Sequence, residues 1–337
     1  MLDGTDPTGA SGGDTPYALR VVARNPALGL ALVVAGATMF IVNAGVSRVA
    51  LRAGVDPATL TTIRVTGTTL VLLVVALLFR RDALRPPTGR LGVLILVHGL
   101  VGVAGLQWTY FVAIDRLPVG MALLLEYQAP VLVALWARFV QKEQVRHRMW
   151  LGLALATAGL AAATGIWKGL AFDTVGIVSG LLAAVCFATY FLVGEHGVGA
   201  LDPLRVILWS FLVATIGMNL YAPITDFSPV LLGRSAPLLG ALGEHDAPVW
   251  VLLAWIIVLG TLVPFGMELF ALRHLRATTV TTIAMLEPVG VSALGWVWFF
   301  ERLDAVALVG GIAVVAGIIL AQSARRARVL IEPPHLA

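Results

Sequence analysis

The sequence predicts an all-α integral membrane protein of ten transmembrane helices, arranged as two inverted five-helix repeats. Three observations carry this reading. Hydrophobic residues make up 59% of the 337-residue chain and charged residues only 12%, about half the charged share of a soluble domain. Apolar runs of about 20 residues, long enough to cross the hydrocarbon core as a helix, recur along nearly the whole length. The second half also echoes the first: residues 113–163 align without a gap onto 271–321 at a constant offset of 158. Pro130 then falls on Pro288, Glu143 on Glu301, and Gly152 and Gly159 on Gly310 and Gly317.

The expected spans are 27–47, 58–79, 91–113, 119–140, 149–167, 174–194, 203–224, 249–271, 277–299 and 304–323. Each must be helical, because backbone groups find no water to bond within a bilayer. Five spans per half is an odd number, so the second copy enters the membrane from the opposite side, the plan of many secondary transporters. This divides the chain into a disordered cytoplasmic tail (1–26), a first repeat (27–167), a second repeat (174–323) and a cytoplasmic C-terminal tail (324–337). Residues 1–16 are rich in Gly, Asp and Thr and lack the charged-then-apolar start of a signal peptide. Short turns join most spans. Residues 225–248 are the exception, and their LLGALG portion is a candidate for the membrane surface or for a dip into it.

Basic residues set the direction. With the N-terminus inside, 16 of the 23 Lys and Arg residues fall in inner segments and 6 in outer ones. Both termini are therefore expected in the cytoplasm. The bias also switches between the copies: the loop after the fourth span is basic, while its partner after the ninth is nearly bare. The basic residues are scattered between apolar segments, which speaks against nucleic acid as a partner.

Few ionisable side chains lie within the spans, where each is costly and marks a candidate site. Arg64 in the second span and Glu126 in the fourth each sit roughly 10 Å from the outer surface at 1.5 Å per residue. That common depth suggests a pair, with the guanidinium open to competition from a substrate carboxylate; a static ion pair is the alternative. Glu287 lies near the midplane of the ninth span and precedes Pro288, which removes a backbone donor and frees an upstream carbonyl. A broken helix beside a carboxylate suits an ammonium or cation site, and hydrocarbon favours the neutral form of a carboxyl there, as a proton carrier requires. The alternative is a protonated carboxyl that bonds a neighbouring helix. Glu268 lies about three residues from the inner end of its span, within reach of cytoplasmic water, as a gate or a structural group. His98 reads first as a satisfied packing histidine. Asn43, Gln107, Gln128, Asn219, Trp108, Tyr110, Tyr127, Tyr190 and Trp209 are candidates to line a path, with Asn43, Gln128, Trp108 and Tyr110 the preferred substrate contacts. Glu143 and Glu301 follow equivalent spans and read as helix-end contacts.

The lone Cys186 permits no internal disulfide and no cysteine-based zinc site. No HExxH pair, phosphate-binding loop or GxSxG elbow is present, so neither an enzyme, a metal site nor a bound cofactor is expected. Monomer against homodimer is left open.

In each half a run of the form ALxxL leads through a mid-helix proline to a glutamate and a helix with GxxxxxxG spacing. This resembles the EamA repeat of the drug/metabolite transporter superfamily, and the resemblance covers about residues 27–323. Within it, LPVGMALLLEYQAPVLVAL at 117–135 and VPFGMELFALRHLRATTVTTIAMLEPVGVSALG at 263–295 are similar to bacterial threonine/homoserine exporters. The resemblance implies an inner-membrane carrier that exports amino acids or related metabolites by alternating access with proton coupling, through a cavity between the repeats. Arg64, with Glu126 as its partner, would handle the substrate carboxylate, and Glu287 the ammonium or the coupling proton. Efflux of a hydrophobic cation and a non-transporting membrane scaffold are the alternatives.

Overall fold

The computed structural model describes residues 25–117, 119–164, 173–300 and 305–323. Both expected tails up to 24 and from 324, Glu301, and residues 165–167 of the fifth expected span lie outside them. Fourteen helices are named here: α1 (Pro26–Arg52), α2 (Pro57–Phe79), α3 (Gly89–Val97), α4 (Leu106–Arg116), α5 (Val119–Glu126), α6 (Ala129–Phe139), α7 (His147–Thr164), α8 (Thr174–Ala200), α9 (Pro203–Tyr221), α10 (Val249–Ile257), α11 (Val263–Ala271), α12 (Ala277–Ala284), α13 (Leu286–Phe299) and α14 (Ala305–Ser323). Nine helical stretches among the described residues are long and apolar enough to cross a membrane. The expected fifth span, α7, is helical over 18 residues, but His147 and Arg148 in its first turn keep it below that mark.

Helix starts follow capping chemistry. Asn25, Asp56, Asp173 and Asp202 each accept a backbone N–H from the first turn that follows, and Pro26, Pro57 and Pro203 occupy first helical positions, where no donor is wasted. Four interruptions then divide long spans. Between α3 and α4 the chain makes a π-helical stretch, His98–Gly105, and between α10 and α11 another, Val258–Leu262. Between α5 and α6 the helix breaks at Tyr127 and Gln128, just before Pro130; between α12 and α13 it breaks at Met285, just before Pro288. Proline cannot donate to the carbonyl four residues back, so the ladder opens there. Both kinds of interruption recur at the 158-residue offset.

The main core contains an aromatic lattice of Phe187, Tyr190, Phe191, Phe211 and Phe265, with Phe40 packed against it and ring centroids about 5 to 6 Å apart. A second cluster joins Val46, Val49, Leu60 and Ile63 to Val249, Leu252 and Ile256. Residues 225–248 contain no helix of spanning length. They form short 3-10 turns and an antiparallel ribbon, β1 (Ser235–Pro237) with β2 (Asp246–Pro248), folded over that second cluster through Ala236.

α7 and α14 run antiparallel at backbone contact. A Cβ on Gly152 would lie 2.6 Å from the Gly317 carbonyl, and one on Gly159 2.7 Å from the Gly310 carbonyl. Small residues permit this approach. The four glycines are those that the sequence echo matched.

Loops segregate into two groups. At the arginine-rich end Arg80 and Arg273 both reach Asp202, at 3.3 and 3.6 Å, Arg276 pairs with Glu143, and Arg205 donates to the carbonyls of Arg85 and Pro86. At the other end Arg116 pairs with Asp173 at 3.6 Å, Thr62 donates to the Ala222 carbonyl, and the Arg48 guanidinium lies 4.4 Å over the Phe299 ring. Each ion pair joins loops that the sequence reading puts on one side.

Two outcomes are expected. Gly310→Ala drives a methyl into backbone and lowers the thermal midpoint in detergent, a cost of about 1–3 kcal/mol. Gly199→Ala, which meets open space, leaves it unchanged or raises it. An equal response of the two would refute the close crossing. Separately, cysteines introduced at Asp82 and Gln144 react with an impermeant maleimide from one membrane face, and those at Arg52 and Glu244 from the opposite face. Labelling of Asp82→Cys and Gln144→Cys from different faces would overturn the two-sided arrangement.

Candidate functional site

Four ionisable residues approach one region from four helices: Arg64 about a third of the way along α2, Glu126 at the end of α5, Glu268 in α11 and Glu287 in the first turn of α13. The sequence paired Arg64 with Glu126 by depth, and the structure does not. The Arg64 Nε donates to the Thr261 hydroxyl at 3.0 Å and its Nη2 to the Gly260 carbonyl at 3.5 Å. Both acceptors belong to the π-helical turn before α11, whose altered register leaves groups free for an outside donor. The Thr261 hydroxyl in turn donates to the Ile256 carbonyl at 2.7 Å. Equal depth fixes a height along the membrane normal, not an azimuth, which is why the pairing was misjudged. Arg64 and Glu126 do share a neighbour, since Tyr110 of α4 lies within electrostatic reach of both.

Asn43 joins the Arg64 side. Its Oδ1 sits where a Cβ on Gly260 would stand, and that oxygen is buried and accepts no hydrogen bond. Only glycine at 260 allows α1 to bring an amide this close.

The carboxylates form the opposite pole. Glu287 lies within electrostatic reach of both Glu126 and Glu268. The Tyr127 hydroxyl, from the break between α5 and α6, donates to Glu287 Oε2 at 2.8 Å, while Glu287 Oε1 is buried without a partner. Tyr127 feels all three carboxylates. The break before Pro130 therefore delivers Tyr127 to the carboxylate that stands beside Pro288 in the other half. Sequence reasoning named Tyr127 only as one of many path aromatics; its adjacency to Glu126 at a proline break was the available signal.

Glu268 was expected near inner water. It is instead 1% exposed, and neither carboxylate oxygen has a hydrogen-bond partner. α1 closes over it at Gly36, and the turn after α11 extends the protein beyond it. A buried carboxylate with no donor is among the costliest groups in a folded chain, tolerable only with a proton or cation at hand.

The remaining candidates scatter. Gln128 turns its amide back to the Leu124 carbonyl at 2.8 Å. Trp108 does not face the cluster: it is 44% exposed and packs edge-on against Tyr221 at the end of α9. His98 has both ring nitrogens engaged, with the Ser210 hydroxyl at 2.8 Å and the Tyr190 carbonyl at 3.1 Å. Tyr190, beside it, donates to the Phe265 carbonyl. Among the described residues no group of three or more His, Cys, Asp or Glu side chains is placed to hold a metal ion.

The result is a buried site with one guanidinium anchored on one side and three carboxylates on the other. Such an arrangement can hold a solute that carries both charges, or exchange a proton against a cation. Removal of the unpaired acid has a stability consequence. Glu268→Met, of similar volume, is expected to raise stability by about 1–3 kcal/mol, the cost of an unsatisfied buried group, and with it the thermal midpoint. A lowered midpoint would mean that the fold relies on this carboxylate.

Residues 27–165 and 174–322 match the EamA-like transporter family. The chain is 27% identical over 241 residues to an uncharacterized transporter of Archaeoglobus fulgidus, across 72% of this chain and 78% of that one. It is 26% identical over 227 residues to the threonine/homoserine exporter RhtA of Salmonella typhimurium and of Escherichia coli, across 66% of this chain and 68% of theirs. It also superposes on a protein crystal structure with a TM-score of 0.69, covering 88% of this chain and 98% of the other at 19% identity, a likeness of fold.

Proposed function

Because the chain belongs to the EamA-like transporter family, we propose that it is a secondary transporter that exports small amino acids or related metabolites across the bacterial inner membrane. Both termini are then cytoplasmic, and the arginine-rich end faces the cytoplasm. The observation that carries the reading is the two-pole site: Arg64 held on the π-helical turn of one span, Glu126, Glu268 and Glu287 gathered opposite. In this reading Arg64 takes the substrate carboxylate, Glu126 and Glu287 take its ammonium, and Glu287 exchanges the coupling proton because it neighbours both other acids. The likeness to the threonine/homoserine exporters supports this substrate class.

α7, the fifth span, brings the count to ten, and the two halves are inverted five-helix repeats that rock about their contact to give alternating access. Support comes from α7 and α14, where Gly152 meets Gly317 while its counterpart Gly310 meets Gly159. Interruptions at matching positions of the two halves point the same way.

The excess of carboxylates over guanidinium also fits efflux of a hydrophobic cation, so a test must separate the two. Counterflow in proteoliposomes preloaded with mixed amino acids, swept across labelled threonine, homoserine, serine and cysteine with and without a pH gradient, is expected to show saturable, gradient-enhanced uptake of one or a few. Arg64→Ala should reduce amino-acid flux about thirtyfold or more, the effect of stripping one partner from a buried charged contact. Glu287→Gln should retain counterflow and lose the response to the gradient. Amino-acid flux that survives Arg64→Ala, with cation flux present, would establish the cation reading instead. Absence of any flux from folded protein would favour a scaffold.

A further inference from the structure

At the arginine-rich end a polar recess of about 140 Å³ opens between the chain after α6, the side of α8 and the start of α12. It has room for roughly four or five waters, the size of a small solute. Gln141 and Glu143 come from the loop after α6, Glu195 from α8, and Arg276, Ala277 and Thr278 from the start of α12. None of these belongs to the buried two-pole site.

The recess is built rather than incidental. Lys142 adopts a left-handed backbone with φ of 55°, a strained choice for a residue with a side chain, and it lies between the two loop residues that line the recess. The Glu143 N–H is tied back to the Ala137 carbonyl at 2.9 Å. Glu195 accepts the Ala277 N–H at 3.1 Å, so its carboxylate stands at the N-terminus of α12. Arg276 pairs with Glu143, an ion pair half exposed on the arginine side. Thr278 is 7% exposed, and its hydroxyl is buried without a hydrogen-bond partner. Thr278 lines this polar recess, and its orphaned hydroxyl has no partner within the protein to give up on turning toward a bound group.

We propose that this recess is a second binding site for a small α-amino-acid zwitterion, a loading site on the cytoplasmic approach to the buried one. The ammonium group lies between the Glu195 and Glu143 carboxylates. The α-carboxylate takes Arg276, whose solvent-exposed pairing with Glu143 is weakly held, and the Thr278 hydroxyl. A simple cation would leave Arg276 and Thr278 unused, and a simple anion would meet two carboxylates. α12 leads from this recess toward Glu287, about ten residues or 15 Å along a helix, so a loaded solute stands at the entrance to the helix that carries the deeper acid. The site rests on the amino-acid reading for its role in export, but not for its binding chemistry.

Calorimetric titration of the full-length protein in detergent with L-threonine and L-homoserine, and with methylammonium and acetate as single-charge controls, tests the inference. Two sites are expected for an amino acid in the unaltered chain. Arg64→Ala should lose the deeper site and keep the recess, so recess binding survives even if the transport reading fails. Glu195→Gln and Thr278→Val should each lose the recess and keep the deeper site, and should raise KM for flux from the arginine-rich face about tenfold, the effect of one charged hydrogen bond, with KM from the opposite face unchanged. Unaltered stoichiometry and KM in two folded variants, Glu195→Gln and Thr278→Val, would overturn the proposal. Binding of methylammonium as tight as that of the amino acid would also overturn it.

Discussion

The structure depends on one constraint: inside hydrocarbon every backbone N–H and C=O must find a partner. Uninterrupted helices meet it trivially, which is why most of this chain is unremarkable α-helix. The interest lies where the ladder is broken. The π-helical turn before α11 offers the Gly260 carbonyl and the Thr261 hydroxyl to Arg64. The turn that starts at His98 receives Ser210 of α9. Breaks before Pro130 and Pro288 carry Tyr127 and Glu287 toward each other. Of these contacts, that of Arg64 with the Gly260 carbonyl meets a backbone group, and the others join side chains at the interruptions.

Electrostatics then divides labour across the cluster. Arg64 is fixed by neutral acceptors rather than by a carboxylate, so its charge remains uncompensated by direct pairing. Three acids gathered without a cation among them are equally uncompensated. The fold tolerates both conditions because they can be relieved by a solute of mixed charge or by protons. Packing alone would favour apolar groups at these positions.

Much of this was legible in the sequence, and the failures share a cause. Span positions followed from the length of the apolar runs, and the break in the ninth span from Pro288. Glu126 and Glu287 were singled out because charge in hydrocarbon is rare. What could not be read was direction around a helix axis. Arg64 and Glu126 were matched by height and face different partners; Trp108 shares α4 with Tyr110 yet turns to Tyr221. The π-helical turns left no mark, because HGLVGVAG and VLGTL look like ordinary apolar helix. Glu268 was placed too near water because hydropathy locates the end of a span, not the protein that covers it.

The crossing of α7 and α14 has an evolutionary corollary. Contact of Gly152 with Gly317, and of Gly310 with Gly159, is the isologous pattern of a two-fold homodimer, here enclosed in one polypeptide. A true homodimer of half-chains would be obliged to duplicate every charge it placed at its axis. At the 158-residue offset, however, Glu126 corresponds to Ala284, Glu268 to Tyr110 and Glu287 to Ala129. Within one polypeptide the two copies are free to differ, so matched backbone segments can hold a lopsided set of acids and a single arginine. Under the proposed transport role, unequal charge on matched backbone segments suits a solute that has no symmetry of its own.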